Sequence, residues 1–205
     1  MKINNIRLIL SGTTDTSKKI LEHLILKGYN VVGIITKPDH RKGRGRHISF
    51  SSVKELGLKR KIPVFQPKYL EKNIKLIKQI KSLKSDLMVV VSYGLIIPEE
   101  IFSIPYRGSI NIHFSLLPRW RGAAPIQRAI ENGDEVTGIT IIRLSIGLDS
   151  GNIIKKIPLK IEDNDNSYLL EKRLISISQL ALISVIKDIE KNNQLEIEQD
   201  RKSVV

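Results

Sequence analysis

Cysteine is absent from this chain, which rules out a disulfide framework, a thiolate nucleophile and any thiolate metal site. Aromatic residues make up 5% of the chain, with a single tryptophan, so the core must be built mainly from aliphatic side chains. No uninterrupted apolar run approaches the ~18 residues that a membrane span needs. The opening Met1-Lys2-Ile3-Asn4-Asn5 lacks an apolar signal region, and Ile6 to Leu10 is only strand length. The turn Ser11-Gly12-Thr13-Thr14-Asp15 holds one glycine, so the G-x-G-x-x-G dinucleotide fingerprint is missing and a nicotinamide oxidoreductase is disfavoured.

What is present is basic charge. With 34 Lys and Arg against 21 Asp and Glu, the net charge is +13, which suits a polyanionic partner through counterion release. A solvated basic surface from compositional drift toward Lys and Ile reads equally well. The 205 residues are enough for one large domain with a substantial core.

Hydrophobic patterning gives alternating elements. Buried strands are expected at Ile6–Leu10, Val31–Ile35, Leu87–Val91 and Gly108–His113, with shorter or later ones at 63–65, 137–144 and 153–161. Helices are expected from Ile20 to a Gly28 C-cap, over about 71–83, from Pro125, and over 167–189. This order implies an α/β fold with an open, doubly wound, mostly parallel sheet. Ligands of such sheets sit outside the carboxyl ends of the strands. Asp15, Tyr93, Asn111 and His113 fall at or just after such ends. The stretch 36–49 is polar and basic, and reads as a mobile surface loop. Residues 1–190 are expected to form one domain, and 191–205 a polar tail or the start of a linker.

Asn111 and His113 are two residues apart, so a strand would turn both to one face. An amide N–H can hold an oxygen that gains negative charge, and an imidazole can exchange a proton near neutral pH. A satisfied polar pair closing a strand has the same pattern. Asp149, in Gly147-Leu148-Asp149-Ser150-Gly151, sits where turns recruit Asp and Gly for backbone reasons. A carboxylate there could instead orient His113, which requires an approach across the fold. Ser115-Leu116-Leu117-Pro118 reads as a proline-fixed loop or a pocket wall. Tyr93-Gly94-Leu95-Ile96 follows a buried strand and could receive a flat heterocycle. Trp120, between Arg119 and Arg121, reads as a stacking or carboxylate-binding surface or as an interior anchor. Arg41, Lys42, Arg44 and Arg46, interleaved with Gly43 and Gly45, read as a phosphate grip or a solvated charge run.

Together these residues resemble the methionyl-tRNA formyltransferase family. The main block is Asn111-Ile112-His113-Phe114-Ser115-Leu116-Leu117-Pro118-Arg119-Trp120-Arg121-Gly122-Ala123-Ala124-Pro125-Ile126-Gln127-Arg128. Support comes from Val89 to Pro98, Lys37-Pro38-Asp39, Gly43-Arg44-Gly45, Phe65-Gln66-Pro67 and 147–151. The departures are Gly12-Thr13-Thr14-Asp15-Thr16, where the family usually has Gly-Thr-Pro-Asp-Phe, and Phe114, where glycine is common.

The resemblance implies a Rossmann-like formyltransferase fold and formyl transfer from 10-formyltetrahydrofolate to methionyl-initiator tRNA, with no metal. It implies a cytoplasmic monomer that engages neither membrane nor DNA. Asn111 would stabilise the formyl oxygen, while His113 and Asp149 would move protons and orient the attack. Ser115, Leu116, Leu117, Pro118, Tyr93, Gly94, Leu95 and Ile96 would contact the folate. Arg41, Lys42, Arg44 and Arg46 would reach the tRNA. Family members carry a further β-rich C-terminal domain that this stretch does not include. The alternatives are a glycinamide ribonucleotide formyltransferase and a truncated tRNA-binding remnant with weak or no activity.

Overall fold

The structure, a computed structural model, describes residues 4–42 and 47–199. The chain divides into two compact units, residues 1–109 and 110–205.

In the first unit, β1 (Asn4–Gly12) leads through α1 (Asp15–Leu26) into β2 (Tyr29–Ile35). The short strands β3 (His40–Lys42) and β4 (His47–Ser49) come next, then α2 (Ser52–Lys59) and β5 (Val64–Phe65). The unit continues with α3 (Ile74–Ser82), β6 (Leu87–Val91) and α4 (Glu99–Phe102). β5, β2, β1 and β6 pair side by side, all parallel, with Leu8 opposite both Val31 and Leu87. Every residue of β6 is buried, as expected for a parallel strand covered on both faces, which therefore reads as an unbroken apolar run.

Local signals account for most of these boundaries. Thr14 caps α1 by accepting from the Ser17 N–H, and Gly28, with φ 77°, takes the left-handed turn just past its end. The lone glycine of the first turn serves packing. A Cβ on Gly12 would lie 2.8 Å from the Val91 carbonyl, which itself accepts a 2.6 Å bond from Ser17 Oγ. Helix α3 begins later than its apolar pattern suggests, because Lys72 adopts φ 53° and Asn73 caps the helix by accepting from the Leu76 N–H.

Two elements depart from the sequence reading. The stretch 36–49, expected as loop, contains the antiparallel pair β3–β4, with Arg41 opposite Ile48. Helix α2 has no strong periodic signal. It exists because Ser51 caps it and Gly57 lets it close on the sheet; a Cβ there would lie 2.7 Å from Ile34 and 2.8 Å from Val64.

The second unit holds β7 (Ser109–His113, whose first residue belongs to the other unit), α5 (Pro125–Glu131), β8 (Val136–Arg143), β9 (Ile153–Lys160) and α6 (Ser167–Glu190). Its strand pairs, β7 with β8 and β8 with β9, are antiparallel. The parallel order expected from the sequence thus holds in the first unit, while the strand pairs of the second are antiparallel, β8 and β9 being joined by a loop with no crossover helix. α6 buries Leu170, Leu174, Ser178, Ala181, Leu182 and Val185. Leu180 lies on the opposite, open face at 67% exposure. Beyond α6, where the sequence suggests a polar tail, the chain runs back to β9: Ile197 exchanges both backbone hydrogen bonds with Ile153 at 2.7 and 2.8 Å.

Candidate active site

Strand β7 carries Asn111 and His113 toward one face, and its pairing with β8 sets Asn111 opposite Ile142 and His113 opposite Thr140. The loop between β8 and β9 then returns Asp149 to them. Gly151 makes this return possible: a Cβ there would fall 1.9 Å from the Arg143 carbonyl oxygen, closer than any side chain permits. Asp149 adopts φ 46°, a left-handed conformation that Asp tolerates better than most residues.

The Asp149 carboxylate is nearly buried, at 12% exposure. Its Oδ1 accepts from Asn111 Nδ2 at 3.1 Å, and its Oδ2 accepts from the Gly122 backbone N–H at 2.9 Å. His113 Nδ1 stands 3.5 Å from Oδ2. The other ring nitrogen, Nε2, is 2.8 Å from the Trp120 carbonyl oxygen. A carbonyl only accepts, so Nε2 carries the hydrogen and donates. Nδ1 therefore faces the carboxylate, and a proton arriving there is held between ring and Oδ2. Among the described residues, the second N–H of Asn111 makes no further hydrogen bond. The cluster thus combines a free amide donor, a seat for a proton and a charge to stabilise it, as acyl transfer to an amine requires.

A neighbouring set of contacts holds Trp120 in place. Asp134 accepts two hydrogen bonds from Arg119, at 2.9 and 2.6 Å, one from Trp120 Nε1 at 2.7 Å and one from Asn132 at 2.7 Å. The Arg119 hydrogen bond is the main cause holding the Asp134 carboxyl well below the usual carboxylate range, outweighing its partial burial. Arg119 also stacks over the Trp120 ring at 4.4 Å. The tryptophan is thus anchored at its indole N–H, and its carbonyl is presented to His113. Asp134 and Thr140 have no motif that marks them in the sequence, and Gly122, though inside the 111–128 block, meets Asp149 only through a contact 27 residues away.

The loop 115–118 is tied down from within. Thr140 Oγ1 donates to the Ser115 carbonyl at 2.6 Å and accepts from the Leu117 N–H at 3.0 Å, while Ser115 Oγ donates to the Arg119 carbonyl at 2.6 Å. The Ser115 and Leu117 side chains are fully buried, the latter with Ile142 and Ile153. Leu116 and Pro118 remain partly open.

Tyr93 to Ile96 belong to the first unit. Tyr93 is 2% exposed and its carbonyl accepts from Thr13 Oγ1 at 3.1 Å. Burial pushes its phenol up to about 12, and its Oη finds no partner among the described residues. Gly94 adopts φ 74° with Lys37 Nζ against it, while Leu95 and Ile96 are exposed. Of the basic segment, Arg41 and Lys42 lie on β3; Arg44 and Arg46 fall outside the described residues. Among the described residues no cluster of His, Cys, Asp and Glu could hold a metal ion, and no helix is long and apolar enough to cross a membrane.

The chain is similar to several known proteins. The family model described as formyl transferase matches residues 4–186. A methionyl-tRNA formyltransferase of Francisella tularensis subsp. mediasiatica is 43% identical over 188 residues, which are 92% of this chain and 60% of that protein. The chain thus spans about three fifths of that relative's length. Among solved structures, phosphoribosylglycinamide formyltransferase from Bacillus halodurans superposes with a TM-score of 0.74 at 23% identity, covering 89% of this chain and 94% of that one. An N-formyltransferase from Helicobacter canadensis, solved with folinic acid and dTDP-3-aminofucose, gives 0.72 at 20% identity, covering 98% and 70%.

Proposed function

The chain belongs to the formyl transferase family, and on that premise we propose that it moves the formyl group of 10-formyltetrahydrofolate onto the amino group of methionine carried by initiator tRNA. The observation that carries the chemistry is the Asp149 carboxylate bound by Asn111 and Gly122, with His113 Nδ1 beside it. The observations favouring this acceptor are the 43% identity to a methionyl-tRNA formyltransferase and the net charge of +13.

In this reading the methionine nitrogen attacks the formyl carbon and the carbonyl oxygen becomes an oxyanion. Asn111 donates its second N–H to that oxygen, a contact worth roughly 2.7–4 kcal/mol of barrier. As the new C–N bond forms, His113 Nδ1 takes the proton released by the amine, and Asp149 stabilises the resulting imidazolium. The bond to the folate N10 then breaks, and that nitrogen recovers a proton. One C–N bond is made and one broken, with no redox change.

The folate would lie against Leu116, Pro118 and the backbone of Ser115 and Leu117, with Tyr93, Gly94, Leu95 and Ile96 forming a second contact. Arg41, Lys42, Arg44 and Arg46 would engage the tRNA acceptor end. Residues 1–190 would form the body of the catalytic domain, joined by the stretch that returns to β9 through Ile197, in a monomeric cytoplasmic enzyme that needs no metal and contacts no DNA. The decisive assay offers the chain 10-formyltetrahydrofolate with either methionyl-initiator tRNA or glycinamide ribonucleotide. Formylation of the tRNA ester is expected. Turnover of the ribonucleotide alone would overturn the acceptor assignment.

A further inference from the structure

Gln199 is buried, at 5% exposure, in a stretch that composition alone marks as polar tail. The Ile153–Ile197 pairing and an ion pair between Arg143 and Glu196 at 2.7 Å deliver it to the site loop. Its Nε2 donates to the backbone carbonyls of Asp149 at 3.0 Å and Gly151 at 2.7 Å. Its Oε1 accepts from Arg121 Nη2 at 2.7 Å. The orientation of this amide is unambiguous: reversed, it would set an acceptor against two carbonyls and an NH2 against a guanidinium.

These three bonds reach both sides of the carboxylate. Asp149 and Gly151 belong to the turn that carries it, and Arg121 directly precedes Gly122, whose N–H holds Oδ2 at 2.9 Å. We propose that Gln199 is a positioning residue, a clamp that closes the two loops on the Asp149 carboxylate and holds it against His113. The stretch 196–199 is then part of the catalytic apparatus. Gln199 itself touches no reacting atom. Its consequence for turnover rests on the reading of Asp149 given above; the clamp itself does not.

The test uses Gln199→Glu and Gln199→Leu in the full chain, read by steady-state formylation and by amide hydrogen exchange. Glutamate keeps the size and the Arg121 partner but sets an oxygen against both carbonyls. A packing role therefore leaves Q199E like the parent, whereas the clamp requires loss. We expect kcat to fall at least about tenfold, as sub-ångström misplacement allows, with KM for the formyl donor within about twofold. Gly122 amide exchange should speed up about tenfold while that of Ile141, in β8, stays unchanged. Parent-like turnover and Gly122 protection in Q199E, or equal acceleration at Gly122 and Ile141, overturns the clamp. If the parent formylates no acceptor, the functional reading fails while the exchange data still decide the clamp.

Discussion

Replacing Asp149 with asparagine removes one charge and almost no volume, and the structure allows the consequence to be worked out. The carboxylate accepts from two fixed donors, Asn111 Nδ2 and the Gly122 N–H. An asparagine has one acceptor oxygen, so either orientation sets its NH2 against one of these donors. One charge-assisted bond, about 1.5–3 kcal/mol, is lost, and the survivor is weakened. A total of about 2–4 kcal/mol lowers Tm by roughly 5–15 °C in a protein of this size. The larger effect falls on turnover. With the NH2 at the Oδ2 position, it donates to His113 Nδ1 and blocks that lone pair; with the NH2 at Oδ1, the charge that steadied the imidazolium is gone. Loss of a positioned proton acceptor typically costs about 10²–10⁴-fold, equivalent to ~2.7–5.5 kcal/mol of barrier. Initial rates should be measured at saturating co-substrates, well below the variant's own Tm. A kcat within about threefold of the parent beside the expected drop in Tm would falsify the mechanism and leave Asp149 a structural turn residue.

Three further outcomes are expected. Asn111→Ala should lower kcat by about 10²–10³-fold, with KM for the formyl donor little changed, because the lost bond forms mainly in the transition state; an effect confined to KM contradicts the oxyanion role. Because the Asp134 carboxyl is held low, the native state binds fewer protons than the unfolded chain in mildly acid solution. Its contribution is therefore complete above the ordinary carboxylate pKa, about 3.9, and erodes as pH falls through the lower native value. Acid melts of Asp134→Asn should show a flatter limb below about pH 4 than the parent; an unchanged limb refutes the Arg119 pairing. Tyr93→Phe removes a buried hydroxyl with no partner among the described residues, so its melting temperature should equal or exceed the parent's. A marked drop would reveal a partner for Oη.

The local chemistry of the chain was legible in its residues. The apolar runs of β1 and β6 announced fully covered strands, Gly28 announced the end of α1, and the two-residue spacing of Asn111 and His113 put both on one face. These signals act over a few residues, the range of backbone sterics and periodicity. Helix α2 escaped notice because two turns interrupted by Gly57 carry too little periodicity. The strand pair inside 36–49 escaped because its polar and charged residues show no apolar alternation in the sequence.

What the folded chain alone decided is the convergence of distant groups. Asn111 meets Asp149 across 38 residues, Gly122 meets it across 27, and Gln199 across 50. Nothing in composition or spacing encodes these meetings. They follow from the antiparallel register of β8 and β9, from the absence of a Cβ at Gly151, and from the strand-like return of the chain after α6. Trp120 illustrates the division most clearly: its neighbours in sequence suit a binding surface and an interior anchor alike, and only the fold joins its N–H to Asp134 and its carbonyl to His113. A residue's type sets which chemistry it can perform, but only closure of the chain selects the partner that lets it do so.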